Sequence, residues 1–305
     1  MAEPPAVDGV RHRWVEARGL RFHLAEAGEG EDVVLCLHGW PQHWYEWRFL
    51  LPRLAAAGYR AVAMDLRGFG WSDAPRDGYE KENLVDDVLA VLDAIGVERV
   101  RLVGHDWGGW IGYLLCLRAP RRIRRYLALN ILTPWVEPRM IVPEIWRFAY
   151  QPLIASPLLG YRLHTAGTLV PKILLGASVA RDNLDRETLR IFADNLAEPD
   201  RARACVQMYR VFLTREQPEL IRGRYARERL TVPTCHLHGT EDAALRPQML
   251  AGWQRHANDM RVELVEGVGH FIADEAPDLV ADRALAFFGA PRPASAPDAA
   301  ATPTA

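Results

Sequence analysis

The stretch Leu102-Val-Gly-His-Asp-Trp-Gly-Gly109 limits the fold more than any other part of the chain. A mostly apolar run over residues 100–103 ends in Gly104-His-Asp106-Trp-Gly108, and residues 110–117 then read as a helix. Glycines two places before and two places after a central residue permit a sharp strand-to-helix turn. That turn exposes the central side chain and points the helix N-terminus at it. The residue at the apex is Asp106. Aspartate also caps helices well, but capping accounts for neither flanking glycine. An elbow of this kind needs a strand inside a sheet with a helix packed over it, so the chain is expected to be an α/β protein.

The remaining pattern agrees. Strand-like runs at 13–18, 20–26 and 33–37 come first, and the two earliest read as a hairpin. The third is apolar without alternation, which suits a central parallel strand covered on both faces. A helical segment to residue 57, a strand at 60–64, a helix at 81–95, the elbow and a strand at 123–129 continue the alternation. About a hundred residues of helical periodicity follow, from 131 to 230. A strand at 232–237, a helix at 245–256, a strand at 261–265 and a closing helix at 271–288 complete the chain. The expected organisation is a core of 1–130 and 231–290, a helical cap at 131–230 inserted after the sixth strand, and a disordered tail at 291–305 rich in Ala and Pro.

The charge balance narrows the partners. Thirty-seven basic against 39 acidic residues give a net charge of −2, and no run of like charge stands out. Neither nucleic acid nor an anionic membrane is suggested, whereas a small neutral ligand fits. Cys36, Cys116, Cys205 and Cys235 are scattered singly without metal-ligand or redox spacing, and are expected to be reduced core residues. His236 and His238 share a strand face, but nothing nearby completes a ligand set, so no metal and no cofactor is expected. Met1-Ala-Glu-Pro-Pro lacks a charged segment followed by an apolar one, and the expectation is a soluble, cytoplasmic protein.

Chemistry gathers just past the strand ends, where open α/β sheets bind ligands. A carboxylate at the elbow is ionised at neutral pH without help from a base, its reference pKa being about 4. It suits displacement at the saturated carbon of an epoxide or alkyl halide, leaving an ester on the protein. Hydrolysing that ester requires a base and an oxyanion hole. His38-Gly-Trp40-Pro41 follows the third strand, where a tight turn, with a cis peptide before Pro41, would aim the Trp40 N–H at the same point as the Trp107 N–H. Trp40, Pro41 and Trp107 would also wall the pocket with apolar surface. Asp242 in His238-Gly-Thr-Glu-Asp242, with Glu241 as its competitor, would orient His270 in Glu266-Gly-Val-Gly-His270, the base. Asp65 is read as structural, and Asn130 as an uncharged residue after the sixth strand.

These blocks resemble the α/β-hydrolase-fold epoxide hydrolases. The resemblance is carried by His38-Gly-Trp-Pro-Gln-His-Trp-Tyr-Glu-Trp-Arg48, Gly58-Tyr-Arg-Ala-Val-Ala-Met-Asp-Leu-Arg-Gly-Phe-Gly70 and the elbow, and it runs over nearly all of residues 15–288. It implies a small apolar epoxide as substrate, a vicinal diol as product, and two cap tyrosines that protonate the oxirane oxygen. Tyr150 in Phe148-Ala-Tyr-Gln151, with Tyr161 as substitute, resembles the first; Tyr209 in Met208-Tyr-Arg210 resembles the second. Tyr209 also stands at helical spacing with Cys205, Val206, Phe212 and Leu213, which places it on an inward face. Haloalkane dehalogenases share the aspartate and are the alternative; a non-catalytic binder of apolar ligands is a second one. A homodimer is compatible with this reading.

Overall fold

The computed structural model describes residues 2–291, so the tail proposed at 291–305 lies outside the described residues but for Pro291. Eight strands form one sheet: β1 (Val10–Ala17), β2 (Leu20–Ala27), β3 (Val33–Leu37), β4 (Arg60–Met64), β5 (Val100–His105), β6 (Ile123–Leu129), β7 (Thr234–Gly239) and β8 (Met260–Val265). Their order is β1-β2-β4-β3-β5-β6-β7-β8. The β1–β2 and β2–β4 pairs are antiparallel and every later pair is parallel.

Burial follows from the pleat. Within β3 every residue is buried, but Val34 and Cys36 belong to one apolar cluster while Leu35 and Leu37 belong to another. Alternate residues of a strand point to opposite faces, and both faces here are covered, so an unbroken apolar run is what the sheet centre requires. One face is covered by α1 (Leu50–Ala56) and the closing α12 (Pro277–Phe288), the other by α2 (Lys81–Ala94) and α3 (Asp106–Arg118). Helix α3 is buried from Trp107 through Cys116 and is apolar nearly all round, as a helix enclosed by other layers must be.

Between β6 and β7 runs the helical insert: α4 (Pro138–Ile141), α5 (Tyr150–Ala155), α6 (Leu159–Thr165), α7 (Leu169–Ala177), α8 (Arg186–Ala197), α9 (Pro199–Val211) and α10 (Gln217–Ile221). A 3₁₀ segment, Val142–Phe148, precedes α5, and a π-helical turn, Phe212–Glu216, joins α9 to α10. Two expected helices take other forms. Residues 245–256 make two short 3₁₀ turns, Pro247–Leu250 and Trp253–Arg255, because Pro247 lacks an amide donor and Gly252 sits at φ 105° between them. The closing helix is split into α11 (Ile272–Glu275) and α12, with Pro277 at the start of the second. All four cysteines are free and buried. Among the described residues no helix is long and apolar enough to cross a membrane.

Candidate active site

Register alone brings the strand ends together. Leu37 pairs with Gly104, His105 with Leu129, Leu129 with Leu237, and Gly239 with Val265. The residues that follow these positions therefore emerge side by side at one edge of the sheet. At the elbow Asp106 has φ 46°, a left-handed conformation that costs a residue with a Cβ about 1–3 kcal/mol and that the surrounding packing must enforce. His105, not Asp106, is the N-cap of α3.

The glycines explain how the turn fits. A Cβ on Gly104 would lie 2.6 Å from the Gly108 carbonyl oxygen, and one on Gly108 would lie 2.1 Å from that of Leu37. Gly39 is pressed against the apex itself, its notional Cβ falling 2.3 Å from that of Asp106. This contact delivers the Trp40 N–H, which donates to Asp106 Oδ2 at 2.9 Å next to a cis Trp40–Pro41 peptide. Trp107 occupies the first turn of α3, where backbone N–H groups have no partner within the helix.

His270 Nε2 stands 3.8 Å from Asp106 Oδ1, and its Nδ1 lies 2.8 Å from Asp242 Oδ2. An ionised carboxylate only accepts, so Nδ1 carries the proton and Nε2 presents its lone pair toward Asp106. Asp242 is fully buried and satisfied: Oδ2 also accepts from Asn130 Nδ2 at 2.7 Å, and Oδ1 from the Ala244 and Leu245 amides at 2.8 Å each. Burial works against its charge, but His270, then His238 and the Leu245 amide, hold its carboxyl well below the usual range. Burial likewise pulls the His270 imidazole down, and Asp242 more than offsets it, so the pKa of His270 sits above the ordinary 6.5. Glu241 takes no part in this contact. Asn130, at φ 39° after β6, was legible only as an uncharged residue, yet it both donates to Asp242 and reaches the Gly269 carbonyl at 3.0 Å.

A second histidine lies beneath. His105 Nε2 donates to the His270 carbonyl at 2.9 Å, while its Nδ1 forms a 2.7 Å ion pair with Glu46, both side chains being wholly buried. Burial opposes its charge, but the Glu46 carboxylate prevails and raises the His105 pKa to about 9. No sequence spacing links Glu46 to His105; only the position of His105 directly before the elbow offered a hint. His236 and His238 point elsewhere, in a buried chain with the Tyr113 hydroxyl and the Leu245 carbonyl. Asp65 accepts from the Trp44 and Trp71 amides and from His23.

Above Asp106 opens a cavity of about 230 Å³, lined from the sheet side by Trp40, His270 and Phe271 and from the insert by Tyr150, Tyr209 and Ile173. Tyr209 is 1% exposed and meets Trp40 edge to face at 5.4 Å; Tyr150 stacks on Trp40 at 6.2 Å and faces Tyr209 at 6.3 Å. Burial pushes both phenols above their ordinary 10, with Asp106 adding to the effect. Tyr161 is not among the lining residues. Nor are Pro41 and Trp107, contrary to expectation: the Trp107 ring packs against Tyr209, Phe212 and the Lys81 ammonium. Arg147 and the exposed Lys172 also line the cavity, and periodicity gave no sign of either.

Known epoxide hydrolases are similar to this chain over nearly its whole length. It is 28% identical over 290 residues to a soluble epoxide hydrolase of Corynebacterium sp. (strain C12), covering 92% of this chain and 97% of that one. The crystal structure of an epoxide hydrolase from Vigna radiata superposes with a TM-score of 0.81 at 26% identity, covering 93% of this chain and 99% of its own. Epoxide hydrolase I of potato (Solanum tuberosum) superposes at 0.80 with 28% identity, over 92% and 99% respectively. The family model for the alpha/beta hydrolase fold matches residues 32–277, and the chain belongs to that family.

Proposed function

We propose that the protein is an epoxide hydrolase that opens its substrate through a covalent ester on Asp106, with residues 131–230 acting as a cap over the reacting atoms. One observation carries this reading: a carboxylate at the elbow, one oxygen held by the Trp40 N–H, shares a single cavity with two phenols, Tyr209 buried and Tyr150 half-buried. Asp106 Oδ1 attacks an oxirane carbon, the ring C–O bond breaks, and Tyr150 or Tyr209 gives its proton to the departing oxygen. The product of this step is a β-hydroxyalkyl ester and a tyrosinate.

In the second step His270 Nε2 takes a proton from water, which attacks Cγ of the ester. Charge develops on Oδ2, where the Trp40 N–H and, in this reading, the Trp107 N–H stabilise it. Collapse of the tetrahedral species releases the diol and restores the carboxylate, and the proton on His270 returns to the tyrosinate. Asp242 holds His270 in the required tautomer. A haloalkane dehalogenase would need donors for a halide facing the cavity, and the commitment of the Trp40 indole N–H to His164 at 3.2 Å, with Trp107 not among the lining residues, weighs against it.

The test is a single turnover in ¹⁸O-water with enzyme in excess over styrene oxide. The diol of that first turnover is expected to be unlabelled, since its new hydroxyl oxygen comes from Asp106, and the label should be found in Asp106 by peptide mass spectrometry. Full label in the first diol would mean that water attacks the epoxide directly.

A further inference from the structure

Lys81 opens α2 in the core, and its ammonium is buried, with the side chain 1% exposed. Nζ donates to the Met208 carbonyl at 3.0 Å and to Glu216 Oε2 at 2.8 Å, while the Lys81 amide donates to Glu216 Oε1 at 2.6 Å. The same ammonium sits 4.5 Å from the centre of the Trp107 ring and 5.4 Å from that of Phe212. It thus touches the chain neighbour of Asp106 on one side and the chain neighbour of Tyr209 on the other. Glu216 ends the π-helical turn that follows α9, so the ion pair ties down the segment directly after Tyr209.

Enclosing an ammonium in this way is costly, and replacing a buried ion pair as a whole by well-packed apolar side chains of similar volume commonly leaves a fold as stable or more so. Burial alone pulls the Lys81 pKa down and Glu216 opposes it. A cation kept in such a place calls for a purpose beyond stability, and its contacts say what that purpose is. We propose that Lys81 is a positioning residue for ring opening: by holding the Met208 carbonyl and Glu216 against the Trp107 ring, it sets the phenol of Tyr209 over Asp106. This rests on the reading of Tyr209 as a proton donor. It assigns nothing to the ester hydrolysis, because Lys81 meets the Trp107 ring, the Met208 carbonyl and Glu216 rather than Asp242, His270 or a backbone N–H at Asp106.

Stopped-flow tryptophan fluorescence on the full chain with styrene oxide separates ester formation from ester hydrolysis. Lys81→Met is expected to slow ester formation roughly 10- to 100-fold and to leave hydrolysis within about threefold, as a small misplacement of one reacting group would. In Lys81→Met/Tyr209→Phe, ester formation should match Tyr209→Phe alone within about threefold, because the lysine acts through that phenol. Equal slowing of both steps, or effects that multiply in the double variant, would overturn the proposal. If Lys81→Met does not fold by near-ultraviolet circular dichroism, Glu216→Ala carries the test: slower ester formation alone supports the assignment, and unchanged ester formation overturns it. Tyr209→Phe with undiminished ester formation would sink the proton-donor reading together with the proposal, whereas a slow Tyr209→Phe beside a normal Lys81→Met would sink only the role of the lysine.

Discussion

The cavity has two halves made by different means. Asp106, Asp242, His270 and the Trp40 amide each follow a strand of one sheet, and backbone pairing sets their spacing before any side chain is chosen. Tyr150, Tyr209, Arg147 and Lys172 come from four separate helical segments of the insert. Side chains fasten that insert to the core: Lys81 to Glu216, Arg201 and Asn195 to the Gly70 carbonyl, and Arg48 to the Asn183 carbonyl. A sheet tolerates little relative movement of its strands, whereas side-chain fastenings can be exchanged one at a time. The sheet half should therefore decide whether the ester turns over, and the insert half which epoxide is opened and how fast.

The sharpest way to break this division is to disable the sheet half alone. His270→Gln is expected to consume about one equivalent of epoxide per chain and then stall, with ester hydrolysis down roughly 10³-fold or more while ring opening continues. Intact-protein mass spectrometry should show the trapped adduct, and its absence would mean that the base serves ring opening as well. The converse change in the insert, Tyr209→Phe, should slow ring opening about 10²-fold with hydrolysis preserved, as single-turnover rates would show. A comparable loss in hydrolysis would erase the boundary between the halves.

Smaller effects sharpen the contrast. His270 must be neutral to act as a base, so ester hydrolysis should fall on acidification with a midpoint above 6.5, the direction in which Asp242 moves its pKa. Asp242→Asn removes the cause and leaves burial, so the acid limb should move to lower pH while the rate drops; an unmoved limb would assign the titration to another group. Last, a pKa of about 9 for His105 means that the Glu46 pair contributes stability fully present below 6.5 and lost as pH rises through 9. Glu46→Gln should therefore flatten the decline in melting temperature between those values, by about 2–4 °C. A slope equal to that of the parent would show that the pair contributes nothing to it.

Legibility followed the same line. Runs 33–37, 60–64 and 123–129 could be read to the residue because both faces of the sheet centre are covered and their buried stretches are apolar, the arginines falling only at the partly exposed positions 60, 124 and 125. The elbow could be read because its glycines stand where any Cβ would run into backbone, a demand that few turns other than a tight strand-to-helix one impose on both sides of a carboxylate. Periodicity finds the helical insert but not its contacts: it does not separate Tyr150 from Tyr161 and gives no sign of Arg147 or Lys172. A side chain as large as Trp107 at an oxyanion-donor position suggests the cavity wall; Lys81, which covers its ring, lies on a distant helix that no local pattern connects to it. The two misread helices, 245–256 and 271–288, each contain a proline or glycine whose local cost outweighs a good apolar period.

Gly108 and the Leu37 carbonyl stand so close that no heavier residue fits between α3 and the sheet. The apex is consequently a fixed anvil, identical for every substrate. New specificities in chains built this way have to be acquired by reshaping what comes down upon it, and a library confined to the insert but leaving Tyr150 and Tyr209 untouched would vary the substrate's surroundings while sparing the chemistry.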